Sequence, residues 1–409
     1  MKYTQIQAKI NIWAVLLAIL LFSNVSAQTK LLKQGQITNK NFTDTIPFEF
    51  VKNKVIIPIF LHGKTRRFIL DTAAPLLISK ELQAECQFTL LEKEVISDIN
   101  SHLDSTNYIQ IPLIKIGKIA FENSVGMLAD TNAGLLSCFG VEGIIGSNLL
   151  KNSILHIDYQ RKELILTNQL AVLGLSAINA VNMSLDERQG SPIIEISPFP
   201  KAKEQVFIDI GDDGFYSMSF RSFQFFMEKT KLSNYVVSKA KGAGTSGLHG
   251  LEQDTSKHLL QLDSFKISDL YFSNVNAMTQ PNPNSRIGAE LLKYGALTLD
   301  YLHQKFYFQA FAKESTIRFQ PESNANLGFS LKNEGNILKV GAVWDGSDAF
   351  YKGVKVDWIV EKIGTYEVKG KTVCELLLDL ATLFDEKEEI IFVFSSQKGE
   401  QKSINIRLK

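Results

Sequence analysis

Cysteine is scarce in this chain, with three in 409 residues: Cys86, Cys138 and Cys374. An odd count excludes a fully paired disulfide framework, so in an oxidising compartment at least one thiol stays free or pairs outside the chain. Cys86 and Cys138 both fall in the first of two halves of the chain and could in principle bridge. A disulfide needs a geometry that sequence does not supply, however, and buried free thiols are the expectation. Neither sign of charge dominates. With 44 Lys and Arg against 43 Asp and Glu the net charge is +1, which argues against a nucleic-acid partner because such a partner normally demands a basic face. Proline is also scarce, at 10 residues, and nothing suggests long disordered or linker tracts. The six histidines are scattered, and none stands at metal-ligand spacing from a cysteine, so neither a metal nor another cofactor is expected. No Gly-x-Ser-x-Gly elbow marks a serine hydrolase. Beyond the N-terminus, no apolar run approaches the roughly 18 residues that a spanning helix needs.

The N-terminus itself reads as a leader. Lys2 and Lys9 form a positive segment, Ile12 to Phe22 an apolar one, and Val25-Ser26-Ala27 a small-residue cleavage site before Gln28. Residues 1–27 are therefore expected to be a secretory signal peptide, and the remainder to be periplasmic or extracellular with no membrane span. An uncleaved anchor is the competing reading, disfavoured because the apolar stretch is short for a bilayer. No cysteine follows that stretch, so a lipoprotein anchor is not indicated. The length suggests two or three domains, and 45% hydrophobic with 21% charged content is ordinary for a globular protein.

The most informative feature is an internal repeat. Residues 145–166 and 287–308 align without a gap and share eight of 22 positions, among them Ile145-Gly146 with Ile287-Gly288 and Asp158-Tyr159 with Asp300-Tyr301. Upstream of each repeated glycine an apolar strand runs into an aspartate and a small-residue turn: Phe68-Ile69-Leu70-Asp71-Thr72-Ala73-Ala74 in one copy, Val206-Phe207-Ile208-Asp209-Ile210-Gly211-Asp212 in the other. Two related lobes, each presenting one carboxylate, can form an acid pair. Opposed carboxylates cannot both keep their charge, so they share a proton; one polarises a water while the other protonates a substrate carbonyl. Gly211 and Ala73 leave room for backbone amides to approach the carboxylate oxygens. Asp158 and Asp300 also recur, but they precede tyrosines on amphipathic strands and read as strand-edge or turn-capping residues.

These motifs resemble those of the retropepsin-like aspartic proteases, in the bilobal single-chain form common in bacterial envelopes, over roughly residues 45–310. The resemblance implies an all-β-dominated fold with two pseudo-symmetric β lobes, residues 28–170 and 171–315. It implies Asp71 and Asp209 as catalytic residues of an aspartic endopeptidase, a polypeptide substrate, and Thr72, Ala73 and Gly211 as supports of the active-site loops. In that family the Thr72 hydroxyl would bond across to the opposite loop. Ile210 has no hydroxyl to return the bond, so the brace is expected to be half formed, and Ala73 stands where the family has glycine. The polar insertions Ser97–Thr106 and Gly242–Asp254 would be flaps over the substrate. Gly242-Ala243-Gly244-Thr245-Ser246-Gly247 also matches the dinucleotide fingerprint, but that pattern has meaning only between a strand and a helix, and a mobile hairpin is the better expectation.

From about residue 320 the pattern changes. Asn326-Leu327-Gly328-Phe329-Ser330-Leu331 resembles the carboxylate-binding loop of PDZ domains, and Gly353 to Ile363 resembles the central part of the bacterial PDZ pattern. A helix at Val373 to Phe384 and strands at Glu389 to Phe394 and Ser403 to Leu408 would complete a small α+β module over 320–409. The resemblance implies that Leu327, Gly328 and Phe329 take a peptide C-terminus, the ligand adding a strand beside Phe329; a module that only packs against the lobes is the alternative. Two functional classes follow, an exported aspartic endopeptidase or a catalytically silent peptide-binding protein.

Overall fold

The computed structural model describes residues 31–97, 103–130, 134–176, 179–244, 246–247, 250–319, 327–384, 387–396 and 398–408. The expected leader, part of both polar insertions and Asn326 lie outside the described residues. The chain is mostly β, and among the described residues no helix is long and apolar enough to cross a membrane.

In lobe one, strands Lys54–Leu61 and Lys64–Asp71 pair antiparallel through His62-Gly63. Both turn residues have positive φ, 50° and 77°, as a two-residue turn matching strand twist requires. Val55, Ile57, Ile59, Phe68 and Leu70 face the main core, while Ile56 and Ile69 face a second cluster with Leu77, Tyr108 and Val125. Burial on both faces explains why the strand entering Asp71 reads as a continuous apolar run. Strand Gly143–Gly146 lies parallel to it with Gly146 opposite Asp71, and also pairs antiparallel with Leu77–Ser79.

Lobe two repeats each step. Pro192–Ile196 and Glu204–Asp209 form the hairpin. Arg286–Gly288 runs parallel to the second strand with Gly288 opposite Asp209, and antiparallel to Tyr216–Ser219. Ser79 and Ser219 cap the helices that follow, Lys80–Cys86 and Phe220–Lys229, each accepting a backbone N–H. The repeated glycine has a steric cause. A Cβ on Gly146 would lie 2.2 Å from Ala74 O, and one on Gly288 2.3 Å from Gly214 O, where the aspartate loop passes.

The copies meet through their own repeated strands. Alignment matches Leu155 with Leu297 and Asp158 with Asp300, yet in space Ile154 pairs with Asp300 and Ile157 with Leu297. Crossed pairing of this kind is what a two-fold between the copies produces. Leu155, Ile157, Leu297 and Leu299 lie in one buried cluster spanning both lobes. Asp158 Oδ1 accepts from Arg161 N–H (3.1 Å) and Asp300 Oδ1 from His303 N–H (3.0 Å), so both cap turns.

Residues from 327 onward build a separate buried cluster that includes Leu327, Phe329, Val340, Trp358, Leu376, Phe392 and Phe394. Its strands are Phe329–Glu334, Ile337–Val343, Ile359–Ile363, Glu389–Ser395 and Gln401–Arg407. Helix Val373–Leu383 begins with a capping box, Thr372 and Glu375 each bonding the other's backbone. Among the described residues, two of the links from this cluster to the lobes stand out. Lobe-two strand Val236–Gly242 pairs with it at Gly242 and Ala342, and Asp345 N–H donates to Lys239 O at 2.8 Å. The second link is a disulfide between Cys138 and Cys374, 236 residues apart. This corrects the expectation of free thiols and the possible Cys86–Cys138 bridge: Cys86 alone is free and half-buried. The partner of Cys138 comes from the helix packed against its own turn, Gly134–Phe139, a neighbour that no spacing in the chain encodes.

The glycine-rich decoy is resolved as well. Ser246–Gly247 pairs with Gly250–Leu251 as a short hairpin after a strand, with no helix following, so the strand–turn–helix context of a dinucleotide site is missing.

Candidate active site

Asp71 and Asp209 end equivalent strands and are brought together around one glycine. Gly211 N–H donates to Asp209 Oδ1 (3.1 Å), and a Cβ on Gly211 would fall 2.2 Å from both Cγ and Oδ2 of Asp71. Only a residue without a side chain lets the second loop lie against the first carboxyl. Asp71 Oδ1 accepts from Ala73 N–H at 2.8 Å, and Asp209 Oδ1 takes a second bond from Asp212 N–H at 3.2 Å.

Thr72 stands between the loops, fully buried. Its hydroxyl donates to Ile208 O (2.6 Å) and accepts from Ile210 N–H (3.0 Å), so one side chain of lobe one satisfies two backbone groups of lobe two. Ile210, also buried, returns neither bond. Further side chains supply cross-lobe contacts that the sequence reading did not single out. Asn53 Nδ2 donates to Asp213 O (2.8 Å) and Lys54 Nζ to Gly211 O (2.5 Å), both from the Lys52-Asn53 turn region of lobe one. The matching turn of lobe two sends Gln189 Nε2 to Ala73 O (2.5 Å). Ser147 Oγ donates to Thr72 O (2.6 Å) and lies 3.1 Å from the Tyr301 hydroxyl.

The electrostatics are asymmetric. Burial, then the neighbouring charge of Asp209, pushes the Asp71 carboxyl up to about 7 against the opposing pull of Ala73 N–H, Lys54 and Arg286. Asp212 rises to about 6, again through burial first, then Asp209 and Asp213. Asp209 Oδ2 is ion-paired with Nη1 of Arg286, and both side chains are largely buried. Arg286 was also not singled out as a site residue. The available signal was the repeat itself, which has Ile144 where lobe two has Arg286, a charge at a position where the other copy is apolar.

Leu327, Gly328 and Phe329 lie in the C-terminal cluster and do not join the aspartates. Gly328 has φ 76°, and its carbonyl accepts from Trp344 N–H (2.9 Å) and Ser347 Oγ (3.0 Å). Because Trp344 bonds Gly328, the alternation of an antiparallel ladder turns the N–H and C=O of Phe329 away from strand Ile337–Val343. Among the described residues no group of His, Cys, Asp and Glu is arranged to hold a metal ion.

No known family's sequence profile matches the chain, and no curated protein matches it. Among solved structures it is similar to conglutin gamma, a basic 7S globulin from lupine seeds, at 13% identity over 66% of this chain and 95% of that one, TM-score 0.40. Basic 7S globulin from soybean is similar at 10% identity, with the same coverages and TM-score 0.37. A retropepsin-like aspartic protease from Rickettsia conorii is similar at 22% identity over 32% of this chain and 96% of that one, TM-score 0.23.

Proposed function

We propose that the chain is an aspartic-type endopeptidase, hydrolysing peptide bonds with a water activated between Asp71 and Asp209. The observation that carries this reading is Gly211, which bonds Asp209 with its N–H and leaves no room for a Cβ against the Asp71 carboxyl, so that both carboxyls lie against one loop residue. A buried acid pair with one member's pKa raised can divide the tasks of acid and base, and needs neither a nucleophilic side chain nor a metal. The test is digestion of a broad peptide library from acid to neutral pH. Cleavage by the wild type that is lost in both Asp71→Asn and Asp209→Asn supports the reading, and cleavage that survives in either variant refutes it.

A second reading, a catalytically silent peptide-binding protein, is favoured by Ile210 in place of a hydroxyl and by the Arg286 guanidinium on Asp209. It predicts library peptides that bind and are not cut. In either case the C-terminal cluster is proposed to be a PDZ-like module taking a peptide C-terminus at Leu327, Gly328 and Phe329, supported by a Phe329 backbone turned away from strand Ile337–Val343. Amidated and free C-termini binding equally well would make that module structural. Export to an oxidising compartment is proposed from the leader pattern, and the Cys138–Cys374 bridge supports it.

A further inference from the structure

We infer that Arg286 is a positioning residue that breaks the symmetry of the acid pair, holding Asp209 as the ionised base and leaving the shared proton on Asp71 as the acid. The inference rests on the peptidase reading and assigns roles within it.

Hydrogen-bond accounting at the two carboxyls carries the argument. Asp209 receives donors at both oxygens, from Gly211 and Asp212 N–H at Oδ1 and from the guanidinium at Oδ2. A carboxylate offers about four acceptor positions and donors meet three of those at Asp209, so the ionised form is favoured in the resting pair while one position stays open for the proton it takes from water. Guanidinium stays charged throughout, so its preference for an anion is permanent. Arg286 Nε has no hydrogen-bond partner among the described residues, so no other acceptor holds that edge of the guanidinium away from Asp209. Asp71 takes one backbone N–H, at Oδ1. The other charged groups around the pair are Lys54 from the lobe-one turn and Asp212 from the second loop, itself beside Asp213, with the Tyr301 phenol near Asp71. Their sum leaves Asp71 the group that retains a proton toward neutral pH.

The assigned roles balance chemically. Asp209 carboxylate takes a proton from water as the oxygen attacks the peptide carbonyl carbon, and Asp71 gives its proton to the carbonyl oxygen, forming a neutral gem-diol. Collapse reverses the transfers: Asp71 takes a hydroxyl proton, Asp209 gives its proton to the amide nitrogen, the C–N bond breaks, and both carboxyls return to their starting states. Arg286 takes part in none of these proton transfers and acts through Asp209. It sets which carboxyl starts ionised.

Two measurements test the inference, one independent of turnover. Infrared difference spectra near pH 6 should show Asp71→Asn losing one protonated carboxyl relative to wild type. Adding Arg286→Met to that variant should restore one, on an Asp209 now buried without its cation. The inference is overturned if Asp71→Asn loses no protonated carboxyl, or if the double variant regains none. With cleavage as the readout, Arg286→Met should move both limbs of the kcat/KM profile to higher pH by about one unit or more, roughly tenfold in rate on the acid side, and Arg286→Lys should keep the wild-type profile. An unmoved profile, or cleavage that appears only once Arg286 is removed, overturns it. If wild type cuts no peptide the peptidase reading fails, while the infrared result still decides where the proton sits. Arg286→Gln replaces Arg286→Met if the latter does not fold.

Discussion

Replacing Thr72 by valine probes the hydroxyl that bonds the aspartate loop of one lobe to that of the other. Valine matches threonine in shape, so packing at this buried position is retained and only the two bonds to Ile208 O and Ile210 N–H are removed. Both backbone groups would be left in a dry interface, and an unsatisfied buried partner costs about 1 to 3 kcal/mol. The sum is about 2 to 6 kcal/mol, a melting-temperature loss of roughly 3 to 10 °C for a body of this size. Thr72→Ser is the control, because it keeps the hydroxyl and gives up only a methyl group, about 1 kcal/mol. Thermal and urea unfolding of the three proteins should rank wild type, serine and valine in that order, with a clear gap before valine. If Thr72→Val unfolds within about 0.5 kcal/mol of wild type, the hydroxyl is not what joins the loops. Serine as damaging as valine would show that the methyl group, not the oxygen, does the work. The reciprocal change, Ile210→Thr, supplies a hydroxyl that could return the bond, stabilising by about 0.5 to 1.5 kcal/mol if it finds a partner and destabilising if it is buried without one.

Other predictions follow from the same contacts. Gly211→Ala places a methyl group against the Asp71 carboxyl, so peptide cleavage should be lost, with a stability cost of about 1 to 3 kcal/mol; full activity would mean the loops are farther apart than described. Asp71 has a folded-state pKa raised to about 7 from an unfolded value of 3.8, so its contribution is fully present below about pH 4 and is lost as pH rises toward 7. Over that window wild type should lose stability relative to Asp71→Asn in unfolding measurements, and parallel curves would refute the raised value. Thiol titration of the denatured, unreduced protein should find one free cysteine, Cys86, and three after reduction. Opening the Cys138–Cys374 loop with Cys374→Ser should destabilise the chain by up to about 5 kcal/mol on chain-entropy grounds for a span of 236 residues; three free thiols without reductant would refute the bridge.

What was legible in sequence was whatever the repeat wrote twice. The apolar strands entering Asp71 and Asp209, the glycines at 146 and 288 and the turn-capping Asp158 and Asp300 follow local rules of burial, steric room and side chain-to-backbone bonding, and local rules leave patterns in order along the chain. Ile210 was legible too, since a missing hydroxyl is visible as a letter. Three features depended on tertiary contact instead. Cys374 became the partner of Cys138 because its helix packs on a turn 236 residues earlier. Lys54 and Gln189 became braces because turns that look like ordinary surface hairpins reach the opposite lobe's aspartate loop. Arg286 became the counter-ion of Asp209 because parallel pairing sets Phe207 beside it and lets its long side chain reach the next carboxylate. Sequence determined that there would be two carboxylates on two like strands; the fold, by deciding which cation stands beside which of them, made the pair unequal.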